Sequence, residues 1–102
     1  MDPKQLLTED QIDQAELEEW TVAGKALVAS YATGDFVTGL RFVNEIGAAA
    51  ETANHHPDIT LTYPKVTLVL SSHDVDGLTA RDVDLAARVS AIARQLGVAA
   101  DS

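Results

Sequence analysis

At 102 residues the chain has room for one domain, 1–102, and its 46% hydrophobic content suffices for a single packed core. Sixteen acidic against seven basic residues leave a net charge of −9, which repels phosphate backbones and anionic lipid. Nucleic acid and membrane are therefore excluded as expected partners, and a small neutral ligand or another protein remains. The chain has no cysteine, which fits a reducing cytoplasm. Its start, MDPKQLLTEDQIDQ, lacks the basic and apolar regions of a secretory leader, and no run approaches the roughly 18 apolar residues of a membrane span. The expectation is a soluble, cytoplasmic domain, small enough that self-association would help to stabilise it.

Thr8 and Gln11 have the spacing of a capping box, so a short helix should follow, carrying Ile12, Ala15 and Leu17 toward the core. Trp20–Ala23 and Ala26–Tyr31 read as two strands of a hairpin turning at Gly24-Lys25. Asp35 is an N-cap for a helix whose apolar stripe runs through Phe36, Leu40, Val43, Gly47 and Ala50, widened by Phe42, Ile46, Ala49 and Ala53. That helix should be mostly buried, with Gly47-Ala48-Ala49-Ala50 allowing close approach to a neighbour. Pro57 disfavours a helical conformation at His56, which ends the helix near Asn54. Two period-2 runs follow, Asp58–Tyr63 and Val66–Ser71. Thr79 then caps a last helix, with Asp82 in its first turn and Gly97 at its C-cap. The order α-β-β-α-β-β-α predicts an α+β fold, a four-stranded antiparallel sheet covered by helices on one face.

All three histidines, His55, His56 and His73, fall in one stretch around the second hairpin. If that hairpin reverses about Pro64-Lys65, Tyr63 faces Val66, Leu61 faces Leu68 and Ile59 faces Leu70, apolar against apolar. Proline cannot take the positive φ of a tight two-residue turn, so a four-residue loop about the same centre is expected. The register continued outward sets His56 against His73, with His55 at the edge of the same place. Opposed strand residues lie about 4.5–5.5 Å apart at Cα, so residues distant in sequence become neighbours.

Histidine titrates nearest neutrality, and converging imidazoles can act together as acid and base. Two other readings compete. A purely structural cluster would have His55 capping its helix and the others on the surface. A zinc site would use three imidazoles plus water, although adjacent histidines aim poorly at one ion.

The histidines also sit in a longer pattern. Glu51, three residues, His55-His56-Pro57, five residues, Tyr63, nine residues, His73, eight residues and Asp82 match a family signature at every gap. The segments DFVTGLRFVNEIGAAAETANHHPD and SSHDVDGLTARDVDLA, and Trp20 ahead of the first strand, are similar in character to the same family. From about Trp20 to Ile92 the chain resembles the pterin-4a-carbinolamine dehydratases.

That resemblance implies a hydro-lyase that removes water from 4a-hydroxytetrahydropterin to give quinonoid dihydropterin, without cofactor or metal. It implies His55, His56 and His73 as catalytic residues, with Glu51, Pro57, Asp58, Tyr63, Asp74 and Asp82 on the substrate side. It further implies a homodimer or homotetramer and a functional link to an aromatic amino acid hydroxylase. One departure is Ile59, where many members carry an aromatic residue that would offer a stacking surface. Some relatives serve as binding partners or assembly factors, so a non-catalytic interaction protein on the same dimeric scaffold is the alternative. A scaffold alone has no chemical need for three histidines, which favours the enzyme.

Overall fold

The computed structural model describes residues 4–101. Among these, α1 spans Glu9–Gln14, β1 Thr21–Ala23, β2 Ala26–Ala32, α2 Phe36–Ala53, β3 Asp58–Leu61, β4 Lys65–Leu70, α3 Ala80–Leu96 and β5 Ala99–Ala100. The strands form an antiparallel sheet in the order β1-β2-β4-β3, with β5 pairing on β2. The fold is α+β, as expected, but the sheet has a fifth strand. Gly97 ends α3 in a left-handed conformation, and the chain returns to set Ala99 and Ala100 against Ala32 and Tyr31.

Period-2 patterning decides which face of the sheet is covered. Leu27, Ala29 and Tyr31 of β2 and Val66, Leu68 and Leu70 of β4 are buried, and they meet Phe42, Ile46 and Ala49 of α2 and Leu85, Val89 and Ile92 of α3 in one core. Tyr31 and Phe42 stack edge to face with ring centroids 5.1 Å apart. The opposite face is more open, where Ser30 and Thr67 hydroxyls lie 3.0 Å apart across β2 and β4.

Local capping places the helices. Thr8 and Gln11 form the anticipated reciprocal cap of α1, although the helix ends before Leu17. Asp35 accepts from the Thr38 amide at the start of α2. Ile12 and Leu17 pack against the core from its margin.

The buried face of α2 keeps Phe42, Ile46, Ala49 and Ala50 of the predicted stripe and its widening and adds Gly39, but Phe36 and Leu40 of that stripe stay exposed, with Val37 beside them. The first turns of α2 are apolar nearly all round, so periodicity alone cannot select the face. Contact with β3 selects it. Gly39 faces Leu61, whose Cδ1 would lie 2.7 Å from an added Cβ, so the close approach occurs there and not at Gly47, around which an added Cβ meets nothing.

The second hairpin also differs, by two residues. Leu61 pairs with Val66, Ile59 with Leu68 and Asp58 with Val69. The loop is closed by the Thr62 amide donating to the Lys65 carbonyl, 3.0 Å, and it is pinned where Thr33 and Gly34 amides donate to the Pro64 carbonyl, both 3.0 Å. Tyr63 is thereby lifted out of the sheet and left 66% exposed. A two-residue slip preserves parity, so Ile59 and Leu61 keep their expected face.

Candidate active site

His55 is placed by the end of α2. Asn54 adopts a left-handed conformation, its amide donates to the Glu51 carbonyl, and the His55 amide reaches back 3.1 Å to the Ala50 carbonyl. This is a Schellman closure, in which the backbone of His55 completes the helix and its side chain turns inward. The residue is 8% exposed, and its ring Nε2 lies 2.6 Å from Oδ1 of the fully buried Asp82.

Asp82 serves two elements at once. Its Oδ2 accepts from the Thr79 amide at 2.9 Å, completing the cap of α3, and from Ser72 Oγ at 2.7 Å. Ser72 Oγ and Thr79 Oγ1 lie 2.9 Å apart. A buried carboxylate is costly unless its lone pairs are satisfied, and here three donors converge on it. With Asp82 accepting at both oxygens, Nε2 of His55 carries a proton and donates it to the carboxylate.

His56 follows with its ring more than half exposed and its Nε2 hydrogen-bonded to Glu51, one turn back on α2. Pro57 is half-buried and leads into exposed Asp58, the first residue of β3.

His73 lies across the hairpin in an exposed turn closed by the Ser72–Gly77 bridge. Asp74 is held by Arg81, whose Nη2 donates to Oδ1 at 2.8 Å, and this partner keeps its carboxyl below the usual range. Asp76, in the same turn, is lowered chiefly by its bond to Lys25, with His73 adding a smaller effect.

The structure therefore brings the segments 55–58 and 72–74 together, but through Ser72 and not through facing histidines. Continued past its last pair, the observed register sets Ser72 opposite His55, two places from the predicted match of His56 with His73. His55 is buried, while His56 and His73 are exposed. Tyr63 stands at the turn of the hairpin, the far end of β3 from His55 and His56, and the structure does not bring it to them. Asp82, expected in the first turn of the last helix and on the substrate side, is that helix's capping residue and, beyond the expectation, the partner of His55. Ser72 and Thr79 were not anticipated as site residues, since only the corrected register carries Ser72 to His55. A cavity of about 260 Å³ opens between α2 and α3, with His55, Thr52, Leu85, Arg81 and Arg88 on its walls. Among the described residues no three His, Asp or Glu side chains gather in a geometry for a metal ion.

Comparison of the whole chain with known proteins identifies its family. The family model for pterin 4 alpha carbinolamine dehydratase covers residues 5–92. The chain belongs to that family. A Cyanothece protein, provisionally named a pterin-4-alpha-carbinolamine dehydratase, is 40% identical over 92 residues, 88% of this chain and 95% of its own. A Koribacter versatilis protein of the same provisional name is 42% identical over 88 residues, 84% of this chain and 94% of its own.

Among solved structures, a Brucella melitensis protein described as a transcriptional coactivator/pterin dehydratase superposes with a TM-score of 0.82 at 30% identity, covering 87% of this chain and 99% of that one. A pterin dehydratase-like protein identified as a RuBisCO assembly factor in the alpha-carboxysome matches with a TM-score of 0.60 at 23% identity, over 72% and 86% of the two chains. That likeness shows the shared fold alone.

Proposed function

We infer that the chain dehydrates 4a-hydroxytetrahydropterin to quinonoid dihydropterin by histidine acid–base catalysis. The observation that carries this reading is the buried Asp82–His55 pair, with the His56 and His73 segments beside it. Breaking the C4a–oxygen bond needs a proton delivered to the departing hydroxyl, which leaves as water. Forming the new ring double bond needs a proton removed from the ring. His55 is the better acceptor, because the Asp82 carboxylate fixes its tautomer and stabilises the imidazolium that forms. His56 and His73 are open to the surface and stand as donors to the hydroxyl. Each transfer would contribute about 10²- to 10⁴-fold. Glu51, Pro57, Asp58, Asp74 and Tyr63 belong to the proposal as substrate-side residues, with Tyr63 the one the monomer supports least.

A homo-oligomer acting beside an aromatic amino acid hydroxylase in the cytoplasm completes the reading. The open edges of β1 and β3 and the exposed Phe36, Val37 and Leu40 support self-association. No helix among the described residues is long and apolar enough to cross a membrane.

The test is a turnover assay with 4a-hydroxytetrahydropterin generated in situ, with and without chelator. Acceleration over the uncatalysed reaction that survives the chelator is expected. Acceleration lost to the chelator and restored by zinc would overturn the metal-free mechanism. No acceleration at all would overturn the enzyme and leave the assembly protein.

A further inference from the structure

Arg81 touches both halves of the site. Its backbone N–H and its Nε both donate to Thr79 Oγ1, each at 3.2 Å, and its Nη2 donates to Asp74 at 2.8 Å. Arginine nitrogens only donate, so these two bonds occupy the lone pairs of Thr79 Oγ1. The Thr79 proton must then point to Ser72 Oγ, 2.9 Å away, and the proton of Ser72 to Asp82 Oδ2, 2.7 Å away. The order of donors runs one way from Arg81 to the carboxylate that fixes His55. The other end of the same guanidinium ties Asp74, and with it the turn that carries His73, to the start of α3.

We propose that Arg81 is a positioning residue that locks His55 and the His73 turn into one frame, through Thr79–Ser72–Asp82 on one side and Asp74 on the other. The proposal rests on the dehydratase reading only for its kinetic consequence. Stability should change little, because an ion pair with Asp74 at this exposure contributes little to folding. Geometry is what the bridge supplies, since a misplacement of about 1 Å can cost about 10²-fold in rate. Lysine cannot reproduce it, because the planar fork of arginine presents separate nitrogens to two partners.

The test uses the full chain with Arg81→Gln, Arg81→Lys, Asp74→Asn, the double variant Arg81→Gln/Asp74→Asn, and Arg88→Gln as a cavity-wall control. Amide hydrogen exchange is followed at Val75, Asp76 and Gly77, whose N–H groups close the turn on Ser72 and His73 carbonyls. Both Arg81 variants should lose protection there while Arg88→Gln keeps it. Turnover should fall toward about 10²-fold, carried by kcat and not KM, and the double variant should be no worse than Arg81→Gln.

Unchanged protection in Arg81→Gln overturns the proposal whether or not the chain is a dehydratase. So does full rescue by lysine, equal loss of protection in Arg88→Gln, or additive loss in the double variant. A wild-type chain without turnover, but with the expected exchange pattern, overturns the enzyme reading and upholds the bridge.

Discussion

Replacing Asp82 by asparagine keeps the side-chain shape and exchanges one acceptor oxygen for a donor. Three groups depend on that side chain: His55 Nε2 at 2.6 Å, Ser72 Oγ at 2.7 Å and the Thr79 amide at 2.9 Å. The amide N–H of Thr79 can only donate, and Ser72 is held to the same direction by Thr79 Oγ1. The asparagine oxygen must stay on their side, which turns its NH₂ toward His55. Neutral imidazole can answer by moving its proton to Nδ1, so no buried donor is orphaned. The cost is the difference between charge-assisted bonds, about 1.5–3 kcal/mol, and neutral ones, about 0.5–1.5 kcal/mol, or about 1–3 kcal/mol in all. At about 4–8 °C per kcal/mol for a domain of this size, the melting temperature should fall by roughly 4–24 °C.

Turnover should fall further, by about 10²- to 10⁴-fold, because the nitrogen left for chemistry now carries the proton. Alanine at the same position would strand three buried donors at about 1–3 kcal/mol each, a large part of the 5–15 kcal/mol that holds a domain. It should not fold. Thermal melts followed by circular dichroism, together with the dehydration assay on the folded fraction, decide the matter. Wild-type turnover in Asp82→Asn would refute the assignment of His55 as the oriented base, and an Asp82→Ala as stable as Asp82→Asn would refute the hydrogen-bond accounting.

His73→Ala removes an exposed ring, so its melting temperature should stay near wild type while turnover drops by about 10²-fold or more; full activity would remove His73 from the chemistry. Leu68→Ala empties a fully buried position and should cost about 2–5 kcal/mol in urea unfolding, with activity per folded molecule retained. Burial, with the Glu19 carboxylate adding to it and Ser90 opposing, pushes the Tyr31 phenol up to about 12. Its folded value lies above the unfolded one, so its stabilisation is full below about pH 10 and is lost as pH rises toward 12, at most about 2–3 kcal/mol. Tyr31→Phe should flatten that alkaline fall in stability, and an unchanged slope would assign the fall to another group.

What the sequence made legible was local or parity-based. The caps at Thr8, Asp35, Thr79 and Gly97 depend on a few neighbouring residues, and all are present in the structure. The faces of β3 and β4 follow alternation and survive a register error of two. The register itself was hidden because Pro64 is fixed by Thr33 and Gly34 from a different loop, a tertiary contact that no pattern in the hairpin reports. Along α2 the later buried positions, Phe42, Ile46, Ala49 and Ala50, were legible, but its first turns were misread because Phe36 and Leu40 are as apolar as the residues that do face the core. Strand β5, two alanines long, has no alternation to read. In the site, the closeness of the two histidine segments was legible from hairpin pairing, and Asp82 from the family signature. Ser72 was not, since its part in the network depends on the register that Pro64 sets.

Helix α2 holds two unlike surfaces apart by its own length. Its 18 residues span about 27 Å, with exposed Phe36, Val37 and Leu40 at the start and His55 just beyond the end. Sites so distant respond to substitution independently, to within about 0.3–0.5 kcal/mol. Selection can therefore act on the two ends as separate heritable traits. A lineage that lets its histidines drift need not disturb the apolar end, and one that remodels the apolar end keeps its imidazoles in place.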